Sequence, residues 1–172
     1  EAKGVYSTDV DKVTKDQTVV IRSHGVGLDV YEKLAKVGAE VIDATCPFVA
    51  RIHKIAAEKS GEGYVILIAG DEAHPEIMGI RGHCSGESYV FSSCDDFENL
   101  VKEKDFSSKK VAILAQTTYN KNMWRKCEEL FERYLPEAVV YNTICSATSE
   151  RQKEAAELAK AADIMIIVGG LH

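Results

Sequence analysis

In VIDATCPFVARIHKIAAEKSG, residues 41–61, Cys46 stands between an apolar run and a helical pattern, with Pro47 directly behind it. Proline suits the first helical position, where its missing N–H costs no intrahelical bond, so Cys46 is expected at a helix N-terminus. The partial positive charge there favours the thiolate, the form that attacks electrophiles or ligates metal. Cys145, in VVYNTICSATSERQKE, has the same kind of placement. For either cysteine alone, a buried and inert thiol is an equal reading. The repetition of strand, turn residues, cysteine and helix favours metal ligation.

His74-Pro75-Glu76 again puts proline at a helix start. An anion can lie between that N-terminus and the imidazole while the carboxyl group handles a proton. In the plainer reading, Glu76 only complements the helix dipole. His24, between a strand and Gly25, offers a second N–H to an anion. Thr117 and Thr118 follow a strand too, where they either cap the next helix or donate a hydroxyl to a ligand. Cys127 shares a helical stripe with Trp124 and Phe131 and reads as core. Cys84 and Cys94 read as packing cysteines, His53 as part of a solvated helix face, His83 as loop, and His172 carries no weight.

These residues need elements to carry them. Val- and Ile-rich runs (TVVIRSHGVG, AEVIDATC, GYVILIAGDEAHPEIMG, SYVFSS, VAILAQTTYN, AVVYNTIC and DIMIIVGG) alternate with helical patterns. The helices are expected near residues 29–36, 47–59, 95–103, 121–134 and 150–162. Lys59-Ser60-Gly61 reads as a helix stop and Ser149 with Gln152 as a capping box. Ala155, Leu158, Ala159 and Ala162 form an apolar stripe on the last helix. Such alternation predicts parallel sheets with crossover helices, because parallel strands need long connections and are covered on both faces. Ligands then bind outside the carboxyl ends of the strands. His24, Cys46, His74, Glu76, Gln116, Thr117, Thr118 and Cys145 all fall at such ends.

The 172 residues fit one domain or parts of several. Hydrophobic residues make up 45% and charged residues 28%, which suits a folded soluble chain. A net charge of -6 with no Lys/Arg cluster excludes a nucleic-acid footprint, so an anionic ligand must be held by histidines and helix N-termini. No apolar run is long enough to span a bilayer and no signal-peptide pattern opens the chain, so the expected location is cytoplasmic. Five cysteines without CxxC spacing argue against a disulfide framework and a zinc ribbon.

The segments IRSHGVG, DATCPFV, AHPE, AQTT and ICSATSERQ, followed by ADIMIIVGG, resemble the 4-hydroxy-3-methylbut-2-enyl diphosphate reductase family, LytB-type iron-sulfur enzymes. The resemblance implies a three-lobed arrangement of small parallel-sheet α/β domains around a central [4Fe-4S] cluster. Residues 1–46 would end the first lobe, 47–143 form the middle lobe, the only complete one, and 144–172 begin the third. It also implies that Cys46 and Cys145 match two of three cluster ligands. His24 and His74 match histidines that hold the diphosphate, Glu76 matches the proton donor, and Thr117 matches the threonine beside the substrate hydroxyl. The implied partners are an allylic diphosphate substrate and a reduced electron donor such as ferredoxin or flavodoxin, with no nucleic acid and no membrane.

The family's first cysteine, in a Gly-Phe-Cys segment, has no counterpart here, and the chain leaves the pattern at Leu171-His172. An internal fragment is therefore expected, lacking a stable cluster and turnover, with exposed sheet edges that promote self-association. Two other readings are weighed against this one. H-P-E fits half of a zinc deaminase signature, but P-C-x-x-C is missing. A non-enzymatic α/β binding module would keep both cysteines inert and use the histidines as caps.

Overall fold

The computed structural model describes Gly4 and residues 6–167, apart from the side chains of Thr148 and Ser149. After a short 3-10 turn at Val10–Lys12, strands and helices alternate as the sequence predicts: β1 (Thr18–Ile21), α1 (Leu28–Val37), β2 (Glu40–Asp43), α2 (Pro47–Gly61), β3 (Val65–Ala69), α3 (Pro75–Arg81), β4 (Ser88–Phe91), α4 (Cys94–Glu103), β5 (Val111–Ala115), α5 (Lys121–Tyr134), β6 (Val139–Val140) and α6 (Ala147–Ala161). β1 and β2 form a two-stranded parallel sheet. The other four strands form a second parallel sheet in the order β4-β3-β5-β6.

β3 and β5 are central and buried along their whole length, which is why VILIA and VAILA are continuously apolar rather than alternating. Successive side chains still point to opposite faces. Val65, Leu67, Ala69 and Ile113 pack with Phe91, Phe97, Trp124, Cys127 and Phe131 under α4 and α5. Ile66, Ile68, Ala112 and Leu114 pack with Ile52, Ala56, Ile77 and Ile80 under α2 and α3. Each large side chain fully buried in this way contributes about 1.5–3 kcal/mol relative to exposure. α3, after β3, covers one face, while α5, after β5, covers the other. The adjacent strands β3 and β5 therefore flank the topological switch point, where open α/β sheets bind ligands.

The ends of several helices follow local rules. α1 stops at Gly38, whose φ of 74° puts it in the left-handed region, with its N–H donating to the Leu34 and Ala35 carbonyls. α2 ends at Gly61, as Lys59-Ser60-Gly61 predicts. Other expectations change. Asn120, rather than Thr117 or Thr118, caps α5, accepting from the N–H groups of Asn122 and Met123. Ser146 occupies the N-cap of α6, and the capping box placed on Ser149 falls on a side chain outside the described residues.

The stripe containing Leu158 is exposed, Leu158 at 56%, because α6 packs against no described sheet face. Ile164–Ile167 read as a strand but join no sheet among the described residues; Ile164, Ile166 and Ile167 are more than four-fifths exposed. A strand exists only through a partner. The rest of DIMIIVGG, with Leu171 and His172, lies outside the described residues. Cys127 is core, as expected, but it is disulfide-bonded to Cys94, a pairing that the expectation of Cys94 as an ordinary packing cysteine does not include. The stripe that buries Cys127 faces α4, and the two Cα atoms are 5.3 Å apart.

Candidate functional site

The polar residues that follow each strand are tied together because the parallel ladders continue into the loops. Past β1 and β2, the Ala44 N–H donates to Ile21 O and the Cys46 N–H to Ser23 O at 3.0 Å. These bonds set the turn carrying His24 beside the loop carrying Cys46. That loop is braced by Asp43, which accepts from Tyr31 Oη and from both the N–H and the hydroxyl of Thr45. Burial alone would raise the Asp43 carboxyl, but the hydrogen bonds from Thr45 and Tyr31 outweigh it and hold it below its ordinary value. Cys46 is the N-cap of α2, with Pro47 at the first helical position, as read from DATCP.

Past β3 and β5, the Gln116 N–H donates to Ala69 O, and the Cys145 N–H to Thr117 O at 2.8 Å. Glu76 lies in the first turn of α3, 1% exposed, and meets Thr117 across the switch point. Thr117 donates its N–H to Glu76 Oε1 at 2.6 Å and its hydroxyl to Oε2 at 2.7 Å. Both carboxyl oxygens are thus held by one residue 41 positions away. His74 is the N-cap of α3, and its Nδ1 accepts from the Glu76 N–H at 3.1 Å. With Nδ1 an acceptor, the ring proton sits on Nε2, which is left to donate to a ligand.

The His24 ring lies edge-on to the His74 ring, centroids 5.2 Å apart. His24 Nδ1 is buried without a hydrogen-bond partner. Burial lowers the His24 imidazole below its ordinary value, with Arg22 and His74 adding to the effect and Glu76 opposing it. A buried ring nitrogen with nothing to bond fits a site that waits for a ligand. A cleft of about 580 Å³ opens beside His74, lined also by Gly70, Asp71, Gln116 and Thr118. A second, of about 280 Å³, is lined by Thr117, Thr118, Cys145 and Gln152.

The site residues thus form one row from cysteine to cysteine: Cys46, Ser23 with His24, His74 with Glu76, Thr117 and Cys145, each step a hydrogen bond, a ring contact or a chain neighbour. Both cysteines are half-buried free thiols. Cys145 sits one residue before the N-cap of α6, and its Sγ accepts from the Ala147 N–H. Two thiols at helix starts suit thiolate-held iron, although they make an incomplete set for a cluster. Among the described residues, no group of three or more His, Cys, Asp or Glu side chains could hold a metal ion, and the zinc reading finds no third ligand there.

The model of the family described as LytB protein matches residues 1–172. The chain belongs to the LytB family. LytB-family relatives named 4-hydroxy-3-methylbut-2-enyl diphosphate reductase include that of Thermoanaerobacter sp. (strain X514), 40% identical over 98% of this chain and 57% of its own length. That of Aquifex aeolicus is 36% identical, over 97% of this chain and 57% of its own length. Among solved structures, that of (E)-4-hydroxy-3-methyl-but-2-enyl diphosphate reductase, the terminal enzyme of the non-mevalonate pathway, superposes with a TM-score of 0.79 at 36% identity. It covers 97% of this chain and 59% of its own. The chain therefore spans somewhat over half the length of these LytB relatives. None of its described helices is long and apolar enough to cross a membrane.

Two features of the site, Thr143 and His53, escaped the sequence reading. Thr143 is buried, accepts from the Ala115 N–H and donates to Ala115 O, extending the β5 ladder toward Cys145 where β6 has ended. Its β-branched hydroxyl two residues before Cys145 is a weak signal. Gln116, expected at a strand end, accepts from the Asp71 N–H and donates to Thr118, stitching the ends of β3 and β5. His53, read as part of a solvated face, is instead 5% exposed and stacked on His83 with centroids 4.1 Å apart, because the α1 loop packs over that side of α2.

Proposed function

We propose that this chain supplies the middle of a 4-hydroxy-3-methylbut-2-enyl diphosphate reductase, with residues 1–46, 47–143 and 144–172 belonging to three lobes around one site. The carrying observation is the contiguous row from Cys46 to Cys145, with Glu76 gripped by Thr117 at its centre. Cys46 and Cys145 would be two ligands of a [4Fe-4S] cluster, which when bound relays two electrons from a reduced carrier such as ferredoxin or flavodoxin to the substrate.

The chain's own residues supply part of the remaining needs. His74 Nε2–H and His24 bind the diphosphate beside the N-terminus of α3, which offers positive potential to an anion. Thr117 fixes the Glu76 carboxyl so that its proton goes to the leaving hydroxyl oxygen. The C–O bond breaks, the oxygen departs as water, and a second proton closes the allylic carbon skeleton as isopentenyl or dimethylallyl diphosphate. With two thiols, the isolated chain would neither keep a cluster nor turn over; anaerobic reconstitution yielding four irons per chain would contradict this. The setting expected for such an enzyme is the cytoplasm.

The catalytic reading is tested by replacing the matching segment of the Thermoanaerobacter reductase, 40% identical, with this chain. The chimera should convert substrate, and Glu76→Gln should slow it about 10²- to 10⁴-fold. A cluster-loaded chimera whose turnover ignores Glu76→Gln would overturn the assignment.

A further inference from the structure

His53 on α2 is 5% exposed, yet its Nε2 has no hydrogen-bond partner. Burying an unpaired ring nitrogen is costly, so the ring needs another reason to be there. Its surroundings supply one. A Cβ on Gly25 would lie 2.4 Å from His53 Cε1, so the ring presses directly on the Gly25 backbone. A Cβ on Gly79 would lie 3.1 Å from His53 Nε2 and 3.4 Å from the carbonyl oxygen of His24. Gly25 directly follows His24 and turns the chain at φ +69°, while Gly79 belongs to α3, the helix capped by His74.

The ring is therefore a plate wedged between the turn that carries His24 and the helix that carries His74 and Glu76. Its other contacts stop it from shifting. His83 stacks on its face at an interplanar angle of 21°. The seam beside it is tight: a Cβ on Gly82 would lie 2.5 Å from Gly27 Cα, and the Leu28 N–H donates to Gly82 O. Thr45, next to Cys46, crowds the same position: its Cγ2 would lie 3.2 Å from the Cβ built on Gly25.

We propose that His53 is a positioning residue whose ring, held between Gly25 and Gly79, sets the spacing of His24 from His74 and so shapes the diphosphate site. This rests on the reading of those two histidines given above. Because Nε2 bonds to nothing, planarity and size carry the role, and a phenyl ring should replace the imidazole. Burial, with His83 adding to it, lowers the His53 pKa to about 4, so the stacked ring is neutral near pH 7.

The test uses the 172-residue chain with labelled histidine rings, followed by NMR. The readouts are the cross-relaxation peak between the His24 and His74 rings and the dissociation constant for inorganic pyrophosphate. The indole N–H of Trp124, in the other core cluster, reports folding. His53→Ala should weaken the ring–ring peak and raise the pyrophosphate dissociation constant about tenfold with the Trp124 signal in place. His53→Phe should restore both to within about twofold of wild type, well under that tenfold loss. A folded His53→Ala chain with both readouts unchanged overturns the proposal, as does a folded His53→Phe chain that loses the peak. If His53→Ala does not fold, His53→Leu replaces it: a peak kept by Phe and weakened by Leu supports the spacer, and equal peaks overturn it. If wild type ignores pyrophosphate while the peak still follows the substitution series, the diphosphate reading fails and the spacer stands.

Discussion

Replacing Thr117 by valine isolates the contact at the centre of the site. Valine keeps the β-branched shape and the backbone N–H but removes the hydroxyl that donates to Glu76 Oε2 at 2.7 Å. The N–H to Oε1 bond at 2.6 Å remains. Glu76 is 1% exposed and Thr117 7%, so water cannot readily replace the lost donor. One buried acceptor left unsatisfied costs about 1–3 kcal/mol. With a urea slope of about 2 kcal/mol per molar, the unfolding midpoint should fall by roughly 0.5–1.5 M. Urea titration followed by Trp124 fluorescence measures this shift.

Thr8→Val is the control, since that residue is exposed and its hydroxyl donates to the neighbouring Asp9 carbonyl at 3.4 Å. Its midpoint should move by less than about 0.5 kcal/mol equivalent. Introducing Thr117→Val into a Glu76→Ala background should also cost much less, because the partner is gone; contacting residues couple by about 0.5–3 kcal/mol. A Thr117→Val midpoint within error of wild type, or equal effects in both backgrounds, would refute the claim that this residue grips the carboxyl group.

Asn120→Ala removes the cap of α5 and should cost about 1 kcal/mol, visible as a drop of about 2–4 °C in Tm. Lowering the pH should destabilise the chain through His53: its folded pKa, about 4, lies below the ordinary 6.5. The unfolded chain therefore binds this proton first, and the stability present above pH 6.5 is lost as the pH falls toward 4. His53→Phe should flatten that part of the pH–stability curve, as read by urea midpoints, although Asp43 beside the ring keeps its own contribution. Without reductant, alkylation and mass spectrometry should find Cys94 and Cys127 protected as a disulfide. Cys84 should react slowly at pH 8, because burial pushes its thiol up to about 11.

Much of this protein was legible from local rules. Torsional preference and side-chain period act within a few residues, so the β/α alternation, Pro47 and Pro75 at helix starts, and Cys46 and His74 as caps followed from the sequence directly. The segments around Cys46, His74, Thr117 and Cys145 also carried the family resemblance, and the LytB match spans the chain. Tertiary structure decided what period cannot encode: which strand ends become neighbours. Glu76 meets Thr117 because β3 and β5 lie side by side at the switch point, although β4 separates them in the chain. Cys94 meets Cys127 because α4 and α5 share one face of the sheet. His53 looked solvated between charged neighbours, yet a glycine turn from a distant loop closes over it. A helix's polar surface is readable from sequence only until another segment packs on it, and that packing is a property of the whole chain.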